Sequence, residues 1–270
     1  MNNAPIGVFD SGLGGLTVLA ELRRLLPHED MIYLGDTARV PYGTKSSASV
    51  TQYALQVAKK LRLQDIKMLV VACNTASAMA LPAIQAALPD LPVIGVIEPG
   101  AQRAVNTSQN GHIGVIATEG TISRGAYTSA IHHLHEDAVV TGQACSLFVS
   151  LVEEGWISGP IVTEIVRTYL EPFFTLDTPV DTLVLGCTHY PVLRSVIAEV
   201  MGPEVRLVDS AETTANVVRD YLQTSGLRAE RSVSGYTEFQ VTDGPERFAR
   251  VAGIFLGHEV ESGLVHLVDL

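Results

Sequence analysis

Two cysteines occupy matching positions in two separate segments of the chain. Cys73 follows the apolar run 69–72, and Cys187 follows the run 182–186. In both segments, hydroxyl, amide or imidazole side chains come directly after the cysteine, and a helical pattern begins there. This order is typical of a strand-to-helix junction in a parallel sheet. Because open α/β sheets bind ligands beyond the carboxyl ends of their strands, both thiols are expected at a binding site.

Two opposed thiols suit acid/base chemistry on both faces of one carbon atom. A thiolate removes a proton from one face while a thiol supplies a proton to the other, which inverts a stereocentre without a cofactor. The helix that begins after each strand is expected to lower the pKa of Cys73 and Cys187 and so to favour the thiolate. Cys145 lacks the repeated context, and a buried structural thiol is expected there.

Polar side chains at other predicted strand ends belong to the same candidate site. Asp10 ends the first apolar run, where it either supports Cys73 or caps the following turn. His189 lies two residues after Cys187 and is interpreted as a partner acid or base for that thiol. Each of five further side chains is either a helix cap or a donor to the carboxylates of a small substrate: Ser11, Asn74, Thr75, Thr118 and Thr188.

Strands and helices alternate along the chain, as in βαβ units with parallel sheets. The segment Ile113-Gly114-Val115-Ile116 repeats Ile6-Gly7-Val8-Phe9 107 residues further on, close to the spacing of 114 between Cys73 and Cys187. We therefore predict an α/β protein with two similar parallel-sheet domains, related by a pseudo-two-fold axis, and an active site in the cleft between them.

The predicted second copy ends near residue 208, and further elements follow it. The predicted domains are therefore 1–97 together with 209–270, and 98–208. Within them the patterns predict, among other elements, strands over 93–97 and 138–141 and one helix over 122–134.

Composition limits the classes of function. The 270 residues carry a net charge of −11, which argues against a nucleic-acid partner. The three cysteines are far apart and lack CxxC spacing, so neither a disulfide framework nor a zinc site is expected. No apolar run is long enough to predict a membrane span, and the start Met1-Asn2-Asn3-Ala4-Pro5 lacks the basic region of a signal peptide. A cytoplasmic protein is expected.

Two other motifs have competing interpretations. Gly12-Leu13-Gly14 after a strand, with Asp36 further on, partly matches a dinucleotide-binding fingerprint, but Thr17 occupies the third glycine position and a nicotinamide enzyme leaves the repeated cysteines unexplained. The residues His132, His133 and His135 could suggest a metal cluster. Adjacent histidines on a regular helix cannot all face one ion, so a solvated helix end is predicted and no metal is expected.

The sequence resembles the glutamate racemases of the cofactor-independent aspartate/glutamate racemase family over nearly its whole length. Six blocks in the family order carry the resemblance: Gly7-Val8-Phe9-Asp10-Ser11-Gly12-Leu13-Gly14-Gly15-Leu16, Tyr33-Leu34-Gly35-Asp36-Thr37, Pro41-Tyr42-Gly43, Ala72-Cys73-Asn74-Thr75-Ala76, Ala117-Thr118-Glu119-Gly120-Thr121 and Gly186-Cys187-Thr188-His189-Tyr190-Pro191. The last block favours the glutamate branch, since aspartate racemases tend to carry a Thr-Glu pair after that cysteine.

The resemblance implies roles for individual residues. Cys187 would deprotonate L-glutamate with support from His189 and Glu153, although the sequence by itself would make Glu153 a surface carboxylate. Cys73 would deprotonate D-glutamate with support from Asp10. The implied substrate contacts are Asp10, Ser11, Tyr42, Gly43, Asn74, Thr75, Thr188 and His189. No cofactor is implied, the D-glutamate would serve peptidoglycan synthesis, and a homodimer is compatible because members of the family are often dimers.

Two alternatives remain open from the sequence. One is an aspartate racemase of the same superfamily, which differs only in the amino acid that it accepts. The other is a binding protein in which two α/β lobes close on a small anion and the thiols are structural.

Overall fold

The computed structural model of the protein describes residues 3–270, so Met1 and Asn2, which belong to the first predicted domain, lie outside the described residues. The described strands are β1 (Ile6–Asp10), β2 (Met31–Gly35), β3 (Met68–Val71), β4 (Val93–Gly95), β5 (His112–Ala117), β6 (Val139–Ala144), β7 (Thr182–Gly186), β8 (Arg206–Asp209), β9 (Thr237–Val241) and β10 (Val265–Leu267). The helices are α1 (Leu16–Leu25), α2 (Ser47–Arg62), α3 (Asn74–Ala87), α4 (Ile97–Thr107), α5 (Glu119–Arg124), α6 (Ala126–Leu134), α7 (Leu147–Glu153), α8 (Pro160–Phe174), α9 (Arg194–Met201), α10 (Ser210–Thr224) and α11 (Pro245–Leu256).

The strands form two parallel sheets. The first sheet has the order β10-β9-β2-β1-β3-β4 and the second the order β6-β5-β7-β8. The order of the second sheet repeats the β2-β1-β3-β4 part of the first, with each strand in the corresponding place. The predicted fold class, two similar parallel-sheet α/β units, is confirmed by this topology.

Helices cover both faces of the first sheet. Val8 and Val70 face the cluster that contains α1, α10 and α11, whereas Phe9 and Val71 face α2 and α3. Strands that are buried on both faces read as continuous apolar runs, which is why the sequence showed no alternation here. Full burial of each such side chain stabilises the fold by about 1.5–3 kcal/mol. The apolar cluster beside α1 continues into the second sheet through Leu185.

The C-terminal segment extends the first sheet. β9 pairs with β2, and β10 pairs with β9. Buried charges hold the connection before β9: Lys67 pairs with Glu29, and Glu29 Oε1 accepts a hydrogen bond of 2.7 Å from the backbone N–H of Ala229. Helix α11 therefore lies on the side of the first sheet although it comes near the end of the chain.

Several predicted boundaries were wrong. The helix predicted over 122–134 is interrupted at Gly125, whose φ of +66° separates α5 from α6. The strand predicted over 93–97 ends at Gly95, and α4 begins at Ile97. Pro99 and Gly100 lie in the first turn of this helix, where a proline is tolerated. The strand predicted over 138–141 begins at Val139 and continues to Ala144.

Within residues 3–270, the helices are too short or too polar to cross a membrane.

Candidate active site

The first thiol lies at the carboxyl end of the first sheet, next to Asp10. β1 and β3 pair in register, so Asp10 and Cys73 come at neighbouring strand ends. The Cys73 Sγ lies 3.4 Å from the hydroxyl of Ser11 and accepts a hydrogen bond of 3.4 Å from the backbone N–H of Ala76. Asp10 Oδ2 accepts a 2.8 Å hydrogen bond from the N–H of Gly12, while Oδ1 has no hydrogen-bond partner among the described residues.

The pKa of Cys73 is raised to about 11, so the expected lowering of this pKa was wrong. Burial disfavours the thiolate, and the nearby Asp10 carboxylate disfavours it further. The hydrogen bonds from Ser11 and Ala76 act in the opposite direction but do not outweigh burial. Burial also raises the pKa of Asp10, against the lowering effect of His189. The free protein therefore favours a neutral thiol at neutral pH.

The second thiol lies at the end of β7, in line with an imidazole and a carboxylate. Cys187 Sγ is 3.9 Å from His189 Nδ1, and His189 Nε2 is 3.1 Å from Glu153 Oε1. Glu153 comes from the last turn of α7 in the layer of the second sheet. Phe255 of α11 packs edge-on against the imidazole, with ring centroids 5.3 Å apart.

Burial likewise raises the pKa of Cys187, again contrary to the expected lowering. The N–H of His189 favours the thiolate, whereas the negative charges of Cys73, Asp10 and Glu153 disfavour it. Burial alone would raise the pKa of Glu153, but its hydrogen bonds and ion pairs with His189 and Arg247 outweigh burial and lower it. Glu153 is therefore a carboxylate at neutral pH, beside the imidazole.

The two thiols line one buried cavity between the two sheets. Its lining residues are Ser11, Gly12, Val40, Pro41, Tyr42, Gly43, Cys73, Asn74, Thr75, Thr118, Val149, Glu153, Cys187, Thr188 and His189. This set contains every side chain or glycine named from the sequence for the site except Asp10, which is fully buried beside Gly12 and Gly15. The geometry thus brings the predicted site residues together.

A short loop forms one wall of the cavity. It contains the cis peptide bond between Val40 and Pro41 and continues into Tyr42 and Gly43. The hydroxyl of Tyr42 donates to the buried carboxylate of Asp36. That carboxylate also accepts hydrogen bonds from Arg39 and Thr242. Since these partners occupy it, Asp36 does not have the role of binding a nucleotide ribose that a dinucleotide fingerprint would give it.

Hydroxyl and amide groups form the adjacent part of the wall, where Gly43 packs against Thr118. The Oγ1 atom of Thr75 is 2.9 Å from that of Thr118 and 3.2 Å from that of Thr121. Asn74 Oδ1 accepts a 2.7 Å hydrogen bond from Tyr127, while its Nδ2 has no partner within residues 3–270. Sequence reasoning missed Thr121, although it lies three residues after Thr118 in the same helical turn and could have been found from that spacing.

Four other neighbours of the site were also missed. Val40, the residue before Pro41, lines the cavity. Val149 lines the cavity from α7, and Arg247 and Phe255 reach Glu153 and His189 from α11. No short-range pattern marks Arg247 and Phe255, since they lie far in the sequence from Glu153 and His189.

Comparisons with known proteins agree with this arrangement. The family model of the Asp/Glu/Hydantoin racemases matches residues 6–218. The glutamate racemase of Geobacter metallireducens is 52% identical to this chain, over 98% of this chain and 96% of its own. A crystal structure of a glutamate racemase isoform from Bacillus anthracis is 40% identical, with a TM-score of 0.94 over 100% of this chain and 99% of that chain.

A second solved structure, the glutamate racemase of Francisella tularensis in complex with D-glutamate, is 40% identical with a TM-score of 0.92, over 100% of this chain and 98% of that chain. These matches cover 98–100% of this chain, so they include both sheets and the residues that line the cavity. The chain therefore belongs to the Asp/Glu/Hydantoin racemase family and, within it, to the glutamate racemases, a group of isomerases that act on an amino acid.

Proposed function

We propose that this chain interconverts L- and D-glutamate by moving protons at the α-carbon with two cysteines and without a cofactor. The observation that carries the proposal is that Cys73 and Cys187, at strand ends of different sheets, line the same buried cavity. The charge of one thiolate also raises the pKa of the other thiol, as expected for groups that share a small space. A substrate held between them would expose one face of its α-carbon to each sulfur.

Each cysteine would act as the base in one direction of the reaction and as the acid in the other. The Cys187 thiolate takes the α-proton of L-glutamate, and the Cys73 thiol then gives a proton to the opposite face of the carbanion. The reverse direction exchanges these roles. Asp10 would support Cys73, and the His189–Glu153 pair would support Cys187. The raised pKa of Cys73 fits this chemistry, because a thiolate of higher pKa is a stronger base toward the weakly acidic α-proton.

Binding of the substrate would help to form the thiolate. Glutamate carries an α-ammonium group, and a positive charge inside the cavity offsets part of the cost of a buried thiolate. Asn74 Nδ2, at the cavity wall, is an unpartnered donor among residues 3–270 and would bind a carboxylate. The Asp10 carboxylate, buried beside Gly12, would attract the ammonium group. The proposed substrate contacts are Asp10, Ser11, Tyr42, Gly43, Asn74, Thr75, Thr118, Thr188 and His189.

The preference for glutamate is supported by the relatives. The structure from Francisella tularensis holds D-glutamate, and its sequence aligns with the whole of this chain. We infer that the D-glutamate made here supplies peptidoglycan precursor synthesis in the cytoplasm. We further propose that the chain forms domains over 1–97 with 209–270 and over 98–208, which separate to admit the substrate. Assembly as a homodimer stays a prediction.

The direct test is to incubate L-glutamate with the purified protein, without added cofactor, and to follow the loss of optical rotation. The expected result is complete racemisation, at a rate well above that with L-aspartate. Cys73→Ser and Cys187→Ser should each abolish racemisation, whereas Cys145→Ala should retain it because Cys145 lies outside the cavity. Full turnover by Cys187→Ser, or a higher rate on aspartate, would contradict the mechanism or the proposed substrate respectively.

A further inference from the structure

Both carboxylate oxygens of Glu153 are engaged, and by groups from different parts of the chain. Oε1 lies 3.1 Å from His189 Nε2, and Oε2 accepts a hydrogen bond of 3.0 Å from the guanidinium of Arg247. The Glu153 side chain is only 14% exposed, so the surrounding atoms restrict it to few orientations. Arg247 also approaches the exposed Glu154, at 4.0 Å.

The helix that carries Arg247 contacts the second half of the site twice. Two turns after Arg247, Phe255 packs edge-on against the His189 ring with a centroid distance of 5.3 Å. Residues eight positions apart on a helix are separated by about 12 Å along its axis, so the two contacts bracket the His189–Glu153 pair. α11 thus holds both members of the pair that leads to Cys187.

The Arg247–Glu153 pair connects the layers of the two sheets. Arg247 lies on α11, which packs beside β10 and α1 of the first sheet, while Glu153 ends α7 beside the second sheet. By contrast, the groups beside Cys73 come from its own sheet: Asp10 ends β1 and Ser11 follows it. The imidazole beside Cys187 is therefore fully supported only when the two sheets are closed together.

We propose that Arg247 is a positioning residue for proton transfer by Cys187: it fixes the Glu153 carboxylate that orients His189, and it does so across the interface between the two sheets. The inference rests on the proposed function, because it takes Cys187 as the residue that exchanges a proton with L-glutamate. Arg247 itself does not line the cavity. Its removal should therefore lower kcat by about tenfold, a fraction of what a general acid or base contributes, and leave KM nearly unchanged.

The first test compares Arg247→Met with Arg250→Met. Arg250 is an exposed arginine of the same helix that forms none of the ion pairs of residues 3–270, so its replacement matches the loss of charge without touching Glu153. Arg247→Lys keeps the charge and should restore much of the rate. Equal kcat values for the two methionine variants would overturn the proposal.

The second test uses the primary isotope effect of α-deuterated substrates on kcat/KM. Deuterium of L-glutamate is transferred at the Cys187 side and deuterium of D-glutamate at the Cys73 side. If Arg247→Met slows only the Cys187 step, the isotope effect should increase for the L-isomer and decrease for the D-isomer. A partly unfolded preparation changes neither value, since both are measured on active molecules. Isotope effects that stay unchanged or shift together would contradict the proposal.

The pH profile supplies a third readout. The titratable and charged groups that act on Glu153 are His189, Arg247, Asp10, Cys187 and Tyr33. His189 and Arg247 are the groups among these that favour its carboxylate form. Without Arg247 the pKa of Glu153 should rise, so the decrease of kcat/KM at low pH should begin at a higher pH than in the unmodified protein. Failure of the two-cysteine mechanism would appear separately, as activity in Cys187→Ser, whereas failure here leaves that result intact.

Discussion

Gly14 in the turn after β1 lies directly against Thr188 in the loop after β7, where a Cβ atom on Gly14 would be 2.2 Å from Thr188 Oγ1 and 2.4 Å from His189 Nδ1. The hydroxyl of the neighbouring Thr17 donates a 3.0 Å hydrogen bond to the backbone oxygen of Thr188. The glycine-rich turn that partly matches a dinucleotide fingerprint therefore allows the two halves of the site to pack closely together, because Gly14 has no side chain.

Gly14→Ala should damage catalysis more than folding. The added methyl group must displace Thr188 and His189, and displacements of this kind in packed regions cost about 1–3 kcal/mol. We expect racemisation to fall at least tenfold, because the imidazole beside Cys187 moves. Gly263→Ala is the matched control, since a Cβ at Gly263 meets no atom within 4 Å. Steady-state kinetics and thermal unfolding of both variants check the prediction, and normal kcat in Gly14→Ala would contradict it.

Cys73 should become reactive only in alkaline solution. Its pKa of about 11 in the folded protein exceeds the ordinary value of 9.0, because burial and Asp10 disfavour the thiolate. Since the thiolate is the nucleophile, alkylation of Cys73 by iodoacetamide should rise between pH 9 and 11. Peptide mapping after short exposure gives the rate at each pH.

The same peptide in urea-unfolded protein provides the control, because its thiol should titrate near the ordinary value. Addition of glutamate should slow the reaction in the folded protein by occupying the cavity. A folded-state midpoint at or below that of the unfolded chain would show that the helix N-terminus and Ser11 outweigh burial after all.

The hydroxyl of Tyr42 should act through the loop that carries it. Tyr42→Phe removes a hydrogen bond to the buried Asp36, and hydrogen bonds to charged groups contribute about 1.5–3 kcal/mol. Because Tyr42 and Gly43 line the cavity, KM for glutamate should increase several-fold while kcat changes less. Tyr53→Phe is the control, since its ring packs on Tyr42 but its hydroxyl bonds to no residue of 3–270. Equal KM values for the two variants would contradict this role.

Local patterns predicted the parts of the site that depend on a single strand end. Cys73 and Cys187 each follow an apolar run and precede a helical turn, and this order can be recognised within about ten residues of sequence. Local signals also mark the bounds of helix α11, because Pro245 begins it and Gly257, with φ of +73°, ends it. The repeated segments predicted two similar parallel-sheet units, and the strand order of the second sheet does repeat part of the order of the first.

Contacts between distant segments could not be predicted in this way. Glu153 and Arg247 are 94 residues apart, and each has the local pattern of a charged residue on a surface helix. The net pKa of Cys73 was also misjudged, because the helix N-terminus is visible in the sequence whereas the depth of burial is not. Burial depends on both sheets together, and it decides the sign of the shift.

The buried pair of Lys67 and Glu29 should be a main support of the C-terminal segment. Their side chains are 0% and 2% exposed, and both also bind the backbone near Ala229. Lys67→Met leaves a carboxylate buried without its cation, which costs about 3–5 kcal/mol of unfolding free energy. Urea denaturation should show this loss, and adding Glu29→Gln should recover part of it because the amide oxygen still accepts from Ala229. Arg24→Met, at an ion pair whose arginine is 58% exposed, should cost much less, because water and salt screen an exposed ion pair. Equal losses of unfolding free energy at the two sites would contradict the prediction. The buried ion pair would then contribute no more than an exposed one, and backbone pairing with β2 would suffice to hold β9.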